Sequence, residues 1–211
     1  MVSLKINTLL AYYIYLTGYP MPVEKNKPDE MFEIAANMFR LHGYCDTDID
    51  DISKKCSVNL SLMREIFNTK TNVALEIMSH IQNHFDFEIL IHAYDKKLPA
   101  YIRIESLSKA IEDYFIKCNG GCVFIKFSIE QMNKDDAFVE PIKRYFDSLN
   151  DAYKEIFLEV YQPDQAVEVA SRVVSDLQGA LIMMRVDGDI WPLQQFTERL
   201  LTRLRADMSH M

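Results

Sequence analysis

Cys122 follows Gly120 and Gly121 and precedes the apolar run Val123-Phe124-Ile125. Two glycines break one helix and let the next begin at the cysteine. A thiol at a helix N-terminus has its thiolate stabilised by the helix dipole, which opens it to oxidants and electrophiles. Cys118 stands four residues upstream, where it can act as a resolving thiol if the loop lets the sulfurs meet. The other reading of Cys122 is a small residue that lets helices pack closely. His80 and His84 share a helix face, but a bare histidine pair without an acidic motif reads as a packed or solvated face rather than a metal edge. No Gly-rich phosphate loop, nucleophile elbow or paired-carboxylate motif appears in the chain, so the expectation is a protein without catalysis, cofactor or metal.

The second informative stretch is "DISKKCSVNLSLMREIFNTK", residues 51–70. It has the rhythm of two short helices joined by a tight turn. In a helix-turn-helix the first helix buries one face, and the second enters the major groove of DNA with its N-terminal end near base edges. Ile49, Ile52 and Cys56 supply the first buried face, Ser57 and Val58 the turn and its plug, and Met63 and Phe67 the back of the second helix. That leaves Leu60, Ser61, Leu62, Arg64 and Glu65 facing outward. Arg64 and Lys70 suit phosphate, and Asn59 and Ser61 can add neutral hydrogen bonds. Leu60 and Leu62 can touch thymine methyls but cannot hydrogen-bond a base edge. Asp46, Asp48, Asp50 and Asp51 add repulsion close by. The alternative is a plain helical hairpin inside a core.

These residues must be held by a scaffold, and composition limits what it can be. The chain has 211 residues, 49% hydrophobic and 26% charged, with only six Gly and seven Pro. That suits a packed interior of long regular elements. The net charge of −8 argues against a broad nucleic-acid-coating surface but leaves room for a local basic patch. Four cysteines at scattered positions fit neither a disulfide framework nor paired zinc ligands, so a reduced, cytoplasmic setting is expected. The apolar N-terminal run "LLAYYIYLTGYP" is too short to span a bilayer and carries no cleavage site. Residues 1–28 therefore read as an extension, helical or disordered, and no membrane role is expected.

The rest reads as helix after helix. Met31, Ile34, Ala35, Met38 and Phe39 share one face at helical spacing, ended by Gly43. Asp48, Asn59 and Thr69 are candidate N-caps. The third of these opens a long helix over about 72–94. Further helices are expected over 99–117, 122–132, from 135 or 136 to before Gln162-Pro163, then 164–186 and 191–204. Leu177, Ala180, Leu181 and Met184 form one apolar stripe, and Phe196 and Leu200 lie on another. A reader with a single recognition helix needs a two-fold partner, so these two stripes are the expected dimer interface. Phe124 and Phe127 belong to a region rich in aromatics and methionines that suits a cavity for a small apolar or electrophilic effector.

The run "MFEIAANMFRLHGYCDTDIDDISKKCSVNLSLMREIFNTKTNV" resembles the N-terminal domain of TetR-type regulators. The pattern is carried by Ala35-Ala36, Phe39, Gly43-Tyr44, Thr47, Ile49, Ile52, Val58, Asn59, Phe67 and Lys70. The resemblance implies that Thr47, Asn59, Leu60, Ser61, Leu62, Arg64 and Lys70 meet operator DNA. The chain departs from the family at the turn, where Ser57 replaces the usual glycine. It also departs at Ser61, Arg64 and Ile66, where the family carries glycine, tyrosine and an aromatic or histidine.

"GGCVFIKFSIEQ" further resembles one branch of that family, the electrophile- and oxidant-sensing repressors of N-ethylmaleimide reductase. The shared residues are Gly121-Cys122, Lys126, Ser128 and Glu130. A lysine that this branch uses with its cysteine falls at Arg185, which can stabilise a thiolate by charge but cannot readily bond to sulfur.

The resulting expectation is an all-α chain. A helix-turn-helix domain over 29–71 would be followed by a ligand-sensing and dimerisation bundle over 72–211. It would act as an effector-responsive regulator, a repressor in type, that binds double-stranded operator DNA as a homodimer. The alternative is a helical ligand-binding dimer of the same fold that has lost operator binding.

Overall fold

The computed structural model describes residues 27–118 and 121–209. The described residues are helical with no strand. The N-terminal extension falls almost wholly outside them. Three helices, α1 (Lys27–His42), α2 (Ile49–Lys55) and α3 (Leu60–Phe67), form the first unit. Helix α4 (Lys70–His84) leads to α5 (Ala100–Phe115), α6 (Val123–Gln131), α7 (Val139–Phe157), α8 (Pro163–Asp187) and α9 (Trp191–Met208). Among the described residues, no helix is long and apolar enough to cross a membrane.

Local chemistry sets most boundaries. The Asn59 side chain accepts from the N–H groups of Ser61 (2.8 Å) and Leu62 (3.3 Å), and that of Thr69 accepts from Asn72 (3.2 Å). Such caps satisfy donors that the first helical turn leaves unpaired. Asp48 occupies the cap position of α2 but makes no capping bond. Its carboxylate lies instead 3.7 Å from Lys70 Nζ, a cation that competes better than a neutral N–H. Pro163 sits in the first turn of α8, and Gly188 closes that helix in the left-handed conformation.

Two expectations of the sequence are revised. The helix from Thr69 does not run to residue 94. It stops at His84, followed by a π-helical turn, Phe85–Ile89, and a 3-10 turn, Leu90–Ala93. The wider π turn accompanies the insertion of Phe85 among Tyr114, Phe115 and Tyr145, with ring centroids 4.9, 6.1 and 5.2 Å away. The buried face of α1 is also turned from the one expected. Phe32, Ala35, Ala36, Phe39 and Arg40 are buried, whereas Met31, Ile34 and Met38 are half-buried. The reason is that α1 packs on three partners, α2, α4 and α6.

The core of the bundle lies where α7 packs on α8 and α8 packs on α9, with α5 closing the other side of α9. Leu149, Ala152, Tyr153, Ile156, Phe157, Ala170, Leu177, Leu181 and Leu193 are buried there. Each large apolar side chain so enclosed contributes about 1.5–3 kcal/mol. A second aromatic layer joins the first unit to the bundle: Phe127 of α6 meets Phe39 (5.2 Å), Tyr44 (5.9 Å) and Phe138 (5.5 Å) edge to face. This layer fixes the orientation of the three-helix unit, and with it the direction of α3.

Candidate functional site

Helix α3 presents Asn59, Ser61, Arg64 and Glu65 to solvent, with Leu60 and Leu62 half-buried. Met63 and Phe67 anchor its back. The turn before it places Ser57 at φ +55°, in the left-handed region that favours glycine. The turn nevertheless closes, because Ser53 Oγ donates to the Val58 carbonyl (2.6 Å) and Val58 N–H donates to the Ser53 carbonyl (3.0 Å). The outward residues thus lie on the solvent face of α3.

Their chemistry is more constrained than the sequence suggests. Arg64 Nη2 pairs with Asp50 Oδ1 at 2.8 Å, both exposed. Lys70 Nζ donates to the carbonyls of Tyr44 (2.9 Å) and Cys45 (3.5 Å) and sits 4.6 Å above the Tyr44 ring. Lys70 therefore holds the 43–47 turn as much as it offers charge. Thr47 must be corrected: its side chain is 1% exposed and donates to the Gly43 carbonyl at 2.6 Å. A hydroxyl committed inside the turn cannot reach a phosphate.

The 40–45 turn is gripped from the bundle side as well. Lys126 Nζ of α6 donates to the carbonyls of Arg40 (3.2 Å) and Leu41 (2.8 Å). Arg185 of α8 donates to the same two carbonyls (3.0 and 3.2 Å). Two cations at the C-terminal end of α1 match the negative end of its dipole. Burial and then the nearby Arg185 push the Lys126 amine below its usual range. One turn further along α6, Glu130 Oε2 accepts from the N–H groups of Tyr44 (2.7 Å) and Cys45 (3.1 Å). Gly43 makes room for this: at φ +83°, a Cβ there would stand 2.8 Å from Glu130 Cδ. Arg185 was expected beside the thiol; the structure gives its guanidinium to the α1 carbonyls, since a helix C-terminus offers it better acceptors than a buried neutral sulfur.

Cys122 occupies the cap position of α6 without a side-chain capping bond, and burial outweighs the helix N-terminus there. Part of the residue reaches the surface but the thiol is enclosed. Burial pushes the thiol up, and the N–H groups of Ile125 and Phe124, the Tyr145 hydroxyl and Arg40 only partly oppose it. Burial likewise pushes Cys118 up. Phe124 stacks on Tyr145 (4.0 Å) beside this thiol, whereas Phe127 belongs to the interdomain aromatic layer rather than to a cavity. His80 stacks on Phe32 (5.0 Å) and His84 leans on Tyr114 (5.4 Å), so both rings serve packing. Among the described residues no group of three His, Cys, Asp or Glu could hold a metal ion.

The expected dimer stripes are also corrected. Leu177, Ala180, Leu181, Met184, Phe196 and Leu200 are all buried within the single chain. They pack α8 and α9 on the protomer's own core. The large apolar residues left outside are Val167, Ile182, Met183 and Val186 of α8 and Trp191 and Met208 of α9. A groove of about 220 Å³ between α7, α8 and α9 is floored by Phe157, Val173 and Leu200 and rimmed by Arg172, Arg199 and Arg203.

Arg40 carries a signal in the sequence that no motif marks. A cation at i+8 from Phe32 falls on the same stripe as Ala35, Ala36 and Phe39, and a charge on a buried stripe is unusual.

Residues 103–199 match the family model described as the C-terminal domain of LmrA/YxaF-like transcriptional regulators. No curated protein sequence matches the chain. Solved structures do match. A TetR transcriptional regulator from Legionella pneumophila superposes with a TM-score of 0.76 at 16% identity, covering 87% of this chain and 98% of that one. The regulatory protein TetR from Rhodobacter sphaeroides gives 0.74 at 17% identity, covering 85% and 99%. The reduced form of E. coli NemR gives 0.66 at 10% identity, covering 82% and 94%. At these identities the likeness is one of fold.

Proposed function

From a chain that has the fold of TetR-type regulators, and whose residues 103–199 match a transcriptional-regulator domain, we propose a homodimeric, effector-responsive DNA-binding regulator that acts as a repressor. The observation that carries the reading is the double grip on the 40–45 turn. Lys126, Arg185 and Glu130 tie the end of α1 to α6 and α8. A shift of α6 is then transmitted to the three-helix unit without slack, and the spacing of two recognition helices in a dimer changes with it. The effector must prefer the form with the altered spacing for this to act as a switch.

The dimer forms through the outward apolar residues Ile182, Met183 and Val186 of α8 and Trp191 of α9, next to the arginine-rimmed groove. Asn59, Ser61 and Arg64 meet the operator, with Leu60 and Leu62 against thymine methyls. Cys122, at the start of the transmitting helix, is the residue whose modification would act on α6 most directly. Its burial makes a non-covalent effector the better fit.

Fluorescence anisotropy with DNA from the upstream region of the gene, at two salt concentrations, tests the reading. Tight, selective binding that weakens with salt is expected, because phosphate contacts release counterions. A second reading, a ligand-binding dimer that no longer binds operators, is favoured by the internal pairing of Arg64 with Asp50 and of Lys70 with backbone carbonyls. It predicts binding no tighter than to random DNA at low salt, and no effect of Arg64→Ala.

A further inference from the structure

Arg40 belongs to the first unit, but its side chain lies inside the bundle. It is 1% exposed. Its guanidinium donates to Asn37 Oδ1 (2.8 Å) and to the Tyr114 hydroxyl, and sits 5.5 Å from the Tyr114 ring centre. The nearest carboxylate, Glu33, is 3.6 Å away and 49% exposed. The Nε of Arg40 is enclosed and has no hydrogen-bond partner. The groups that share its surroundings are Tyr114, Cys118, Cys122 and Tyr145. Burial pushes all four up, so all four are neutral at physiological pH.

A guanidinium is always charged and carries five donors in a rigid fork that matches a carboxylate. Enclosing one with a single carboxylate at 3.6 Å and an idle donor is costly, because desolvation is only partly offset. A buried, incompletely satisfied cation of this kind needs an explanation. Packing supplies none, since an apolar side chain of the same volume would cost less. Among the described residues Glu33 is the carboxylate within reach of the guanidinium, and it meets Nη1, not Nε. Tyr114, which the guanidinium touches, packs on Phe85 and Phe115, and Tyr145, which feels its charge, stacks on Phe124.

We propose that Arg40 is the receptor for the effector, and that the effector is a small aromatic or apolar molecule bearing one carboxylate. The carboxylate pairs with Nε and the Tyr114-bound arm of the guanidinium, and the apolar body lies among the rings between α4, α5 and α6. This rests on the effector-responsive reading and adds the chemical class. It also explains how the signal reaches DNA. Arg40 is the residue whose own carbonyl Lys126 and Arg185 hold. A ligand that draws the Arg40 side chain therefore acts directly on the turn that orients the reader.

The test uses the full chain and does not depend on DNA. Binding of 2-naphthoate and of its neutral counterpart 2-naphthamide is measured by calorimetry, with benzoate and decanoate as further carboxylates. Wild-type protein is expected to bind 2-naphthoate at least tenfold more tightly than the amide, and Arg40→Gln to lose that preference. Tyr114→Phe removes the hydroxyl that occupies one arm of the guanidinium, so it should tighten naphthoate severalfold and leave the amide unchanged. This second variant carries the test if Arg40→Gln does not fold. The proposal is overturned by equal affinity for acid and amide, by a preference that survives Arg40→Gln, by weaker naphthoate binding in Tyr114→Phe, or by no carboxylate of the panel binding at millimolar concentration. Arg40-dependent binding without any operator binding would leave this inference standing and remove the regulator reading.

Discussion

Glu130 offers the sharpest test of how the three-helix unit is attached. Its carboxylate accepts two backbone N–H groups, Tyr44 at 2.7 Å and Cys45 at 3.1 Å. Hydrogen bonds to a charged acceptor contribute about 1.5–3 kcal/mol each. Cys45 is exposed and regains water when the carboxylate is removed, whereas the half-buried Tyr44 amide does so poorly. Glu130→Ala should therefore cost about 3 kcal/mol, a fall in Tm of roughly 6–12 °C for a chain of this size. Gly43→Ala should reach a similar loss by another route. Its new Cβ meets the same carboxylate, and the φ of +83° adds about 1–2 kcal/mol of strain. The double mutant loses the two hydrogen bonds only once, so the two costs must fall short of additivity by about 2 kcal/mol. Urea denaturation of the four proteins gives the cycle, and amide exchange at Tyr44 and Cys45 reports the two bonds themselves. Additivity within about 0.5 kcal/mol, or unchanged exchange at both amides in Glu130→Ala, would refute the clamp.

Other outcomes follow from the same geometry. Ser57→Gly should stabilise the chain by about 0.5–1 kcal/mol in chemical denaturation, since it relieves a left-handed turn residue. Asp50→Asn should free Arg64 from its 2.8 Å ion pair and raise DNA affinity on every sequence tested, with a steeper salt dependence by about one unit. Met183→Glu should shift the protein toward monomer in sedimentation, whereas Leu177→Ala should lower stability by about 2–5 kcal/mol because it opens the core. Burial pushes the Cys56 thiol up to about 11, so folding favours its neutral form. That contribution is complete below the ordinary thiol range and lost as pH rises from there toward 11. Alkylation of Cys56 in the folded protein should accordingly keep accelerating up to that pH. At pH 7.5 a disulfide reagent should reach the exposed Cys45 well before Cys118 and Cys122.

The helices themselves were legible along the chain because their signals are local. Asn59 and Thr69 cap by reaching two or three residues ahead, and the apolar spacing that buries Met63 and Phe67 is that of a single helix. Ser57 marked the turn for the same reason. Whether a side chain is free is not local. Arg64 and Lys70 have the right type for phosphate, but partners 14 and 26 residues away in sequence use their donors. The stripe of Leu177, Leu181 and Met184 is apolar at helical spacing, and periodicity alone cannot say whether a protomer's own core or a partner covers it.

By itself, the sequence determined an all-α chain, the three-helix unit that ends at Phe67 and the residue types around Cys122. Helical periodicity and capping act within a few residues, so they survive without knowledge of the fold. Only tertiary structure decided the rest. It set Arg40 inside the bundle, Arg185 and Lys126 on the end of α1, and the Cys122 thiol in an enclosure whose desolvation outweighs the helix N–H groups beside it. Those outcomes depend on desolvation and on acceptors brought from 85 to 145 residues away, quantities that no local spacing encodes.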